Sequence, residues 1–216
     1  MKIFIAAGHG GKDPGAVANG VVERDEAIKI VNDAAEYLAR IIQPPYELII
    51  VPHELSLVDT VVYINENTKE VGRDICIELH LNANEGTPGT GTETYYGYKR
   101  LAEILQKGIV GVLKLKDRGV KEDNFFYFNK ATRTGSALVE IGFINNMTDL
   151  QEIRKLGAFA LAKGISDFLG LKLPSTPTPP PPEPDWKAKY LALKTAVLLQ
   201  REAIKRNLDN FKIEEL

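Results

Sequence analysis

The sequence lacks several features that would place it in whole classes of protein. Its only cysteine, Cys76, cannot form an intramolecular disulfide bond, and its apolar neighbours predict a buried thiol in the core. The 27 Lys and Arg residues are balanced by 29 Asp and Glu residues, which gives a formal net charge of −2 and a pI of about 6.0. No basic field is left to bind phosphates, so we expect no nucleic-acid partner.

Long apolar segments are also missing. Residues 3–7 are apolar, but the glycine-rich residues 8–11 follow at once, too soon for a signal-peptide core or a membrane span. We therefore expect a protein that is synthesised in the cytoplasm without a signal peptide and that does not insert stably into a membrane. The hydrophobic content of 44% still allows a sizeable core.

A proline-rich stretch divides the chain. Residues 174–184 are mostly Pro, Ser and Thr, and this composition predicts a stiff, extended segment that joins no core. The sequence therefore predicts a domain of catalytic size at residues 1–172, a linker at residues 173–184 and a C-terminal helical element at residues 185–216.

Strand-like and helical patterns alternate within the first 172 residues. Apolar runs typical of strands are Ile3–Ala7, Leu48–Val51, Ile75–Leu81, Thr92–Tyr98, Phe125–Phe128 and Ala137–Phe143. Helical periodicity covers roughly Glu23–Ile42, Leu57–Val71, Lys99–Leu115 and Thr148–Leu169. This alternation predicts an α/β fold in which helices cover a mostly parallel sheet.

A glycine-rich segment, residues 8–15, directly follows the first predicted strand and contains His9. Its glycines let the backbone approach a ligand closely. A phosphate-binding loop is the first alternative, but the GxxxxGK[ST] spacing is absent and Asp13 stands where a Ser or Thr would hold magnesium. His9 is therefore a candidate ligand-binding residue at the carboxyl end of a strand.

Two further candidates have ordinary structural explanations when each is taken alone. Glu23 opens the first long helix, where acidic side chains complement the positive end of the helix dipole. His80 ends the third predicted strand, and period-two geometry points Glu78, His80 and Asn82 to one face. A single histidine there is more often a hydrogen-bonded core residue than a metal ligand.

Glu140 is a charge inside the otherwise apolar segment Leu138–Phe143. A buried carboxylate without a partner costs several kcal/mol, so it needs a cation, a proton or hydrogen bonds nearby. Glu140 falls with His9 and His80 toward the carboxyl ends of strands, where open α/β sheets bind ligands. Two histidines and one carboxylate are a common ligand set for catalytic zinc, which leaves the other carboxylate as a general base.

Four segments occur in a characteristic order: Gly8–Gly15, Glu23, His80–Ala83 and Leu138–Asn146. Together they resemble the zinc-dependent N-acetylmuramoyl-L-alanine amidases of the amidase type 3 family, which includes autolysins, sporulation amidases and phage endolysins. The resemblance covers about residues 1–170. It implies a mixed sheet of about six strands flanked by helices. For the site it implies one zinc ion held by His9, Glu23 and His80, with Glu140 as the catalytic carboxylate, and we expect Asn82 to contact the substrate.

This sequence departs from the family pattern in several places. Glu78 stands where a serine is common, and a role as a partner that tunes the metal site is left open. The asparagine often found shortly after the ligand glutamate is missing from residues 26–28, and an Asn-Ala pair expected on the second helix is not evident. These departures concern substrate detail more than the reaction.

The implied reaction is hydrolysis of the amide bond between N-acetylmuramic acid and L-alanine in bacterial peptidoglycan. Two alternatives stay open, because the ligand set alone does not choose the bond. One is a zinc carboxypeptidase or endopeptidase that acts on the stem peptide, and the other is a non-catalytic wall-binding module. The order of domain, linker and small C-terminal element suits a phage endolysin or a cell-lysis autolysin that acts on the wall after release from the cytoplasm.

The C-terminal element has the heptad spacing of a pairing helix. Its a positions are Trp186, Leu193, Gln200 and Asn207, and its d positions are Tyr190, Val197, Ile204 and Phe211. This seam predicts a homo-oligomer with a register fixed by the two polar a positions. The alternative is a helix that docks on its own domain or targets the cell wall.

Overall fold

The computed structural model describes residues 1–123 and 126–174. Its strands are β1 (Lys2–Ala7), β2 (Val17–Ala18), β3 (Val21–Val22), β4 (Glu47–Ile50), β5 (Ile75–Asn82), β6 (Thr92–Tyr96), β7 (Asp117–Glu122) and β8 (Gly135–Phe143). Its helices are α1 (Glu23–Ala39), α2 (Leu57–Asn67), α3 (Lys99–Leu113), α4 (Tyr127–Ala131) and α5 (Met147–Leu169). The predicted alternation of strands and helices is therefore confirmed.

Six strands form one mixed sheet in the order β4-β1-β5-β8-β6-β7. Strands β4, β1, β5 and β8 run parallel, whereas β6 is antiparallel to β8 and β7 is parallel to β6. This arrangement confirms the predicted α/β fold with a mixed, mostly parallel six-stranded sheet. The short hairpin of β2 and β3 forms a separate two-stranded sheet that the sequence analysis did not predict.

The two faces of the sheet are covered unequally. Alternate side chains of β1, β5 and β8 pack against α1, α3 and α5 in the larger of two apolar clusters, which includes Ile5, Ile77 and Val139. The opposite face has a smaller cluster beneath α2 and α4, which includes Phe4 and Cys76. Cys76 is fully buried, as predicted. The residues Glu78 and His80 alternate with the larger cluster and therefore lie on the less covered face.

Local sequence explains where the helices beside the site begin and end. The Ser56 side chain caps α2 by accepting a hydrogen bond from the backbone N–H of Asp59 at 3.2 Å. The Asn146 side chain caps α5 in the same way, through the backbone N–H groups of Thr148 and Asp149. Helix α5 ends at Gly170, whose φ of +69° suits a residue without a Cβ atom.

One predicted strand was wrong. The aromatic segment Phe125–Phe128 was assigned to a strand, but Phe126 is the N-cap of the short helix α4 and Phe128 lies within it. The sixth strand is instead β7, Asp117–Glu122, with the sequence Asp-Arg-Gly-Val-Lys-Glu. It is an edge strand with charged side chains, so it lacks the apolar run on which the prediction relied.

Three helix ends were also predicted two to four residues too far along the chain. Helix α2 ends at Asn67, because Thr68 turns to an extended conformation, and Val71 beyond it is 71% exposed. Helix α3 ends at Leu113, where Lys114 has a φ of +57°. Such ends depend on single-residue backbone conformations that hydrophobic periodicity does not report.

The linker from residue 175 onward and the helical element at residues 185–216 lie outside the described residues. The predicted domain boundaries and the heptad seam therefore stay predictions. Within residues 1–123 and 126–174, none of the helices combines the length and apolarity needed to cross a lipid bilayer.

Candidate active site

An open cleft of about 670 Å³ lies at the carboxyl ends of β1 and β5, on the less covered face of the sheet. The beginning of α2 and the aromatic residues around α4 form its walls. All five residues that the sequence analysis selected line this cleft: His9, Glu23, His80, Asn82 and Glu140. The topology therefore brings together side chains that are up to 131 positions apart in the sequence.

His9 is presented by the glycine-rich turn after β1. It adopts a φ of +62°, and its Nδ1 atom lies 2.8 Å from Oδ2 of Asp13. The other oxygen of Asp13 accepts a hydrogen bond from the backbone N–H of Gly15 at 3.0 Å, which fixes the carboxylate in the turn. Because Nδ1 is occupied in this way, the Nε2 atom of His9 is the one that faces the cleft.

Gly15 allows this turn to close against the site. Its φ is +65°, and a Cβ atom there would lie 2.5 Å from Cδ2 of His9 and 2.7 Å from Oε2 of Glu23. Both distances are shorter than van der Waals contact permits. The glycine is therefore required by conformation and by space at once.

Glu23 begins α1 and is the most fully engaged carboxylate in the cleft, with only 4% of its surface exposed. Its Oε2 lies 3.1 Å from Nε2 of His9 and accepts the backbone N–H of Ala16 at 2.8 Å. Its Oε1 lies 3.1 Å from Nδ1 of His80 and accepts the backbone N–H of Leu81 at 3.1 Å. Burial alone would raise the pKa of Glu23, but the hydrogen bonds from both imidazoles hold this pKa far below its usual range.

The two histidines meet edge to face, with ring centroids 4.9 Å apart. The hydrogen bond to Glu23 is the main cause that raises the pKa of His9. Burial opposes ionisation of His80, yet its contacts with Glu23 and Glu78 outweigh that effect and raise its pKa well above the usual value. Each imidazole therefore points one nitrogen at a carboxylate that is ionised.

This arrangement fits a divalent metal ion. One ligand atom from each of His9, Glu23 and His80 can be chosen so that all three lie within 4.8 Å of one another. Imidazole nitrogens and a carboxylate oxygen are ligands that zinc accepts, and three protein ligands leave a fourth position open. A helix-dipole role for Glu23 alone, or a core role for His80 alone, does not explain this convergence.

Glu140 lies beside the cluster but does not join it. It is directly opposite His80 in the register of β5 and β8. Its Oε2 atom is enclosed and has no hydrogen-bond partner among the described residues. Burial raises the pKa of Glu140 to about 7, although the nearby charge of His80 opposes the shift. Such a carboxyl can hold or release a proton near neutral pH.

Another buried carboxylate, Glu93, lies behind the cleft and contacts the lining residue Asn82. It is 2% exposed and forms ion pairs with Arg118 at 2.6 Å and Lys121 at 2.5 Å. Its Oε1 accepts a hydrogen bond from the side-chain amide of Asn82 at 3.0 Å. This bond fixes the orientation of Asn82, and the negative charge of Glu93 adds to the raised pKa of Glu140, behind the larger effect of burial.

Aromatic side chains line the outer part of the cleft. Phe126 and Tyr127 are among its lining residues, and Tyr127 is 45% exposed. Tyr95 packs edge to face on Phe126, with the ring centroids 5.0 Å apart. Phe128, in contrast, is buried in the smaller apolar cluster. The remaining histidine, His53, binds Asn32 at 3.0 Å and is not among the residues that line this cleft.

Sequence reasoning missed the contributions of Asp13 and Glu93. Asp13 was noted only as a reason to reject a phosphate loop, yet it holds His9. Glu93 stands between two threonines in a predicted strand, where a charge is typical of a solvent-facing position. Its burial follows from the ion pairs with Arg118 and Lys121, which the sequence pattern does not reveal.

Comparison with known proteins agrees with this geometry. The sequence model of the family described as N-acetylmuramoyl-L-alanine amidase matches residues 3–169. The chain belongs to this family. The resemblance stated from the sequence is therefore confirmed for the family as a whole, and the match covers the elements that form the cleft, from β1 to α5.

Individual amidases show the same similarity. The amidase LytC of Bacillus subtilis is 31% identical over 163 residues, which are 71% of this chain and 31% of LytC. The endolysin of Bacillus phage SPP1 is 29% identical over 190 residues, 80% of this chain and 68% of the endolysin. An amidase structure from Clostridium difficile 630 superposes with a TM-score of 0.69 at 27% identity, covering 78% of this chain and 96% of that one.

Proposed function

We propose that this amidase is a zinc-dependent hydrolase that cleaves the bond between N-acetylmuramic acid and L-alanine in bacterial peptidoglycan. In this proposal His9, Glu23 and His80 hold one zinc ion, and Glu140 is the general base. One observation supports it most strongly: ligand atoms of two histidines and a glutamate converge within 4.8 Å of one another, and Glu140 lies opposite His80 with a carboxylate oxygen that has no hydrogen-bond partner among the described residues.

When bound, zinc would supply Lewis-acid chemistry, polarising the scissile carbonyl and lowering the pKa of water. Glu140 accepts the proton of the attacking water and returns it to the nitrogen of the leaving L-alanine. Burial raises the pKa of the Glu140 carboxyl group above its ordinary value in the metal-free chain, which favours uptake of a proton. Asn82, whose side-chain amide donates a hydrogen bond to Glu93 and which lines the cleft, is proposed to orient the substrate beside the reacting bond.

The walls of the cleft suit a substrate that combines a sugar and a peptide. Phe126 and Tyr127 offer apolar ring faces, and Thr60 contributes a hydroxyl group to the lining. Aromatic faces pack well against sugar rings, and hydroxyl groups bind peptide amides. The openness of the cleft to solvent is consistent with a polymeric substrate.

The biological setting is part of the same proposal. Similarity to the SPP1 endolysin and to the amidase LytC supports a lytic enzyme of the endolysin or autolysin type. Such an enzyme would be synthesised in the cytoplasm and would reach the wall after release. Pairing of two chains through the heptad seam at residues 185–216, or wall targeting by it, is proposed on the sequence alone.

Digestion of purified peptidoglycan, with and without a chelator, tests the proposal. We expect chelator-sensitive release of intact stem peptides that begin with a free L-alanine amine, identified by mass spectrometry. Zinc should restore the activity of the chelated enzyme. Cleavage within the stem peptide would instead assign the enzyme to the peptidases, and wall binding without cleavage would assign the chain to the binding modules.

A further inference from the structure

Glu78 is a buried carboxylate that the proposed reaction does not use. It is 3% exposed and lies two residues before His80 on β5. Its Oε2 atom lies 3.2 Å from Nε2 of His80, and this is the only ion pair found for Glu78 among residues 1–123 and 126–174. An unpaired carboxylate in such a place costs several kcal/mol, so His80 is the partner that makes its burial tolerable.

The contact is on the side of the imidazole that faces away from Glu23. Nδ1 of His80 lies 3.1 Å from Oε1 of Glu23, whereas Nε2 faces Glu78. The alignment at Nε2 is not that of an ideal hydrogen bond, but the distance is that of an ion pair. The two ring nitrogens of His80 therefore have separate carboxylate partners.

His9 has the same arrangement with its nitrogens exchanged. Its Nδ1 lies 2.8 Å from Asp13, and its Nε2 lies 3.1 Å from Glu23. Glu23 thus stands between two imidazoles, each of which is held from behind by a further carboxylate. The two outer carboxylates differ in exposure, since the side chain of Asp13 is 64% exposed and that of Glu78 is 4% exposed.

A carboxylate behind an imidazole decides which nitrogen can bind a metal. A neutral imidazole has one N–H and one lone pair, and the N–H is retained at the nitrogen that a carboxylate contacts. The lone pair is then left on the opposite nitrogen, and the ring is fixed in orientation. In His80 both nitrogens face a carboxylate, and Nδ1 makes the hydrogen bond to Glu23 in the metal-free chain. A cation held between Nδ1 and Glu23 would displace the proton from Nδ1 and leave the N–H on Nε2, against Glu78.

We propose that Glu78 is a positioning residue, which holds the proton of His80 on Nε2 and so presents Nδ1 to the metal. The proposal rests on the zinc site proposed above. Asp13 does the same for His9 with the opposite nitrogens. Because Glu78 is shielded from water and Asp13 is not, Glu78 contributes more to metal affinity than Asp13 does.

Zinc affinity of the full chain, measured by competition with a chromophoric chelator, tests this. We expect Glu78→Ala, which removes the acceptor, to weaken zinc binding about 10- to 100-fold. Glu78→Gln, which keeps an acceptor of the same shape without the charge, should recover part of this loss. Asp13→Ala is the matched control, and its effect should be smaller than that of Glu78→Ala.

Nitrogen-15 NMR of the histidine rings provides a signal that a purely structural role would not change. In zinc-loaded wild type we expect His80 to have its proton on Nε2 and its metal on Nδ1. Circular dichroism of the metal-free variants separates loss of affinity from loss of fold, and Glu78→Gln serves if Glu78→Ala does not fold.

Distinct outcomes contradict the two proposals. Wild type that binds no zinc would overturn the zinc site and this inference together. Wild type that binds zinc and cleaves peptidoglycan, beside Glu78→Ala and Glu78→Gln variants of unchanged affinity, would overturn the role of Glu78 alone. Metal on Nε2 of His80 would do the same.

Discussion

Glu23 and Glu140 are glutamates at the base of the same cleft, yet their surroundings differ in almost every contact. Glu23 meets two imidazoles and two backbone N–H groups, which hold its pKa far below the usual range. Glu140 has an enclosed oxygen without a partner among the described residues, and burial raises its pKa to about 7. The same side chain is therefore tuned in opposite directions within one site.

The opposite pKa shifts of Glu23 and Glu140 suit two different roles in one site. A carboxylate that is ionised at every physiological pH and fixed by four contacts suits a metal ligand. A carboxyl group that exchanges a proton near neutral pH suits acid and base work. Pairs of titratable groups whose environments separate their pKa values are a general sign of this division of labour.

Replacement of Glu23 should have the largest effect on zinc binding and on turnover. Glu23→Gln removes the charge between His9 and His80, so we expect loss of bound zinc and a fall in turnover of about 10³-fold or more. Zinc content by atomic emission and the rate of peptidoglycan digestion are the two measurements. A variant that keeps stoichiometric zinc would remove Glu23 from the ligand set.

Replacement of Glu140 should separate chemistry from metal binding. Glu140→Gln preserves shape and leaves the three proposed ligands untouched, so we expect unchanged zinc content. Turnover should fall by about 10²-fold or more, the usual contribution of a general base. The measurement is kcat on purified peptidoglycan fragments, and near-normal turnover would be incompatible with the proposed base.

A substitution at Gly15 tests whether the packing around Glu23 controls zinc affinity. A Cβ atom at Gly15 would press on both His9 and Glu23, so Gly15→Ala should weaken zinc binding by about 10-fold, through displaced ligands. Gly20→Ala is the matched control: its φ is +74°, and a Cβ atom there meets nothing within 4 Å. Both variants bear the strain of a positive φ, so equal zinc affinities would show that contact with the site has no effect.

The pH dependence of the stability of the metal-free protein tests the raised pKa of Glu140. The pKa of Glu140 rises from 4.5 to about 7 on folding, so the folded carboxyl binds more protons between these pH values. Wild type therefore loses stability as the pH rises through this window. Because Glu140→Gln cannot ionise, we expect its free energy of unfolding to exceed that of wild type by about 3 kcal/mol at pH 8 and to match it at pH 4.

Urea unfolding at the two pH values measures this difference, and the same offset at both would refute the raised pKa. Glu23 has the opposite sign, because its pKa is lowered on folding. Its contribution to stability is present above its ordinary pKa and is lost as the pH falls. The two carboxylates therefore oppose one another in the pH dependence of unfolding.

Much of the fold followed from the sequence because the buried strands are continuous apolar runs. Strands β1, β5 and β8 were predicted nearly to the residue, and their carboxyl ends place His9, His80 and Glu140 together. The edge strand β7 was missed, since four of its six residues are charged and it has neither an apolar run nor a period-two apolar pattern. The helix ends depended on single backbone conformations, such as that of Lys114, which no periodicity records.

The cleft was less predictable than the fold. Each selected residue was visible as a histidine or carboxylate in an unusual context, and the resemblance to the amidase family joined them. The contact of Asp13 with His9 depends on how the turn after β1 closes. The contacts of Glu93 with Asn82, Arg118 and Lys121 depend on where β5 and β7 lie in the sheet, and these partners are 11 to 28 residues away, so local pattern alone does not reveal them.

A crystal structure of the zinc-loaded enzyme, located by the anomalous signal of the metal, tests the division between Glu23 and Glu140 most directly. We predict zinc bound to Nε2 of His9, to Glu23 and to Nδ1 of His80 at about 2.0 to 2.2 Å. Glu140 should lie close by without touching the metal. Zinc bonded to Glu140, or absent from Glu23, would contradict the account.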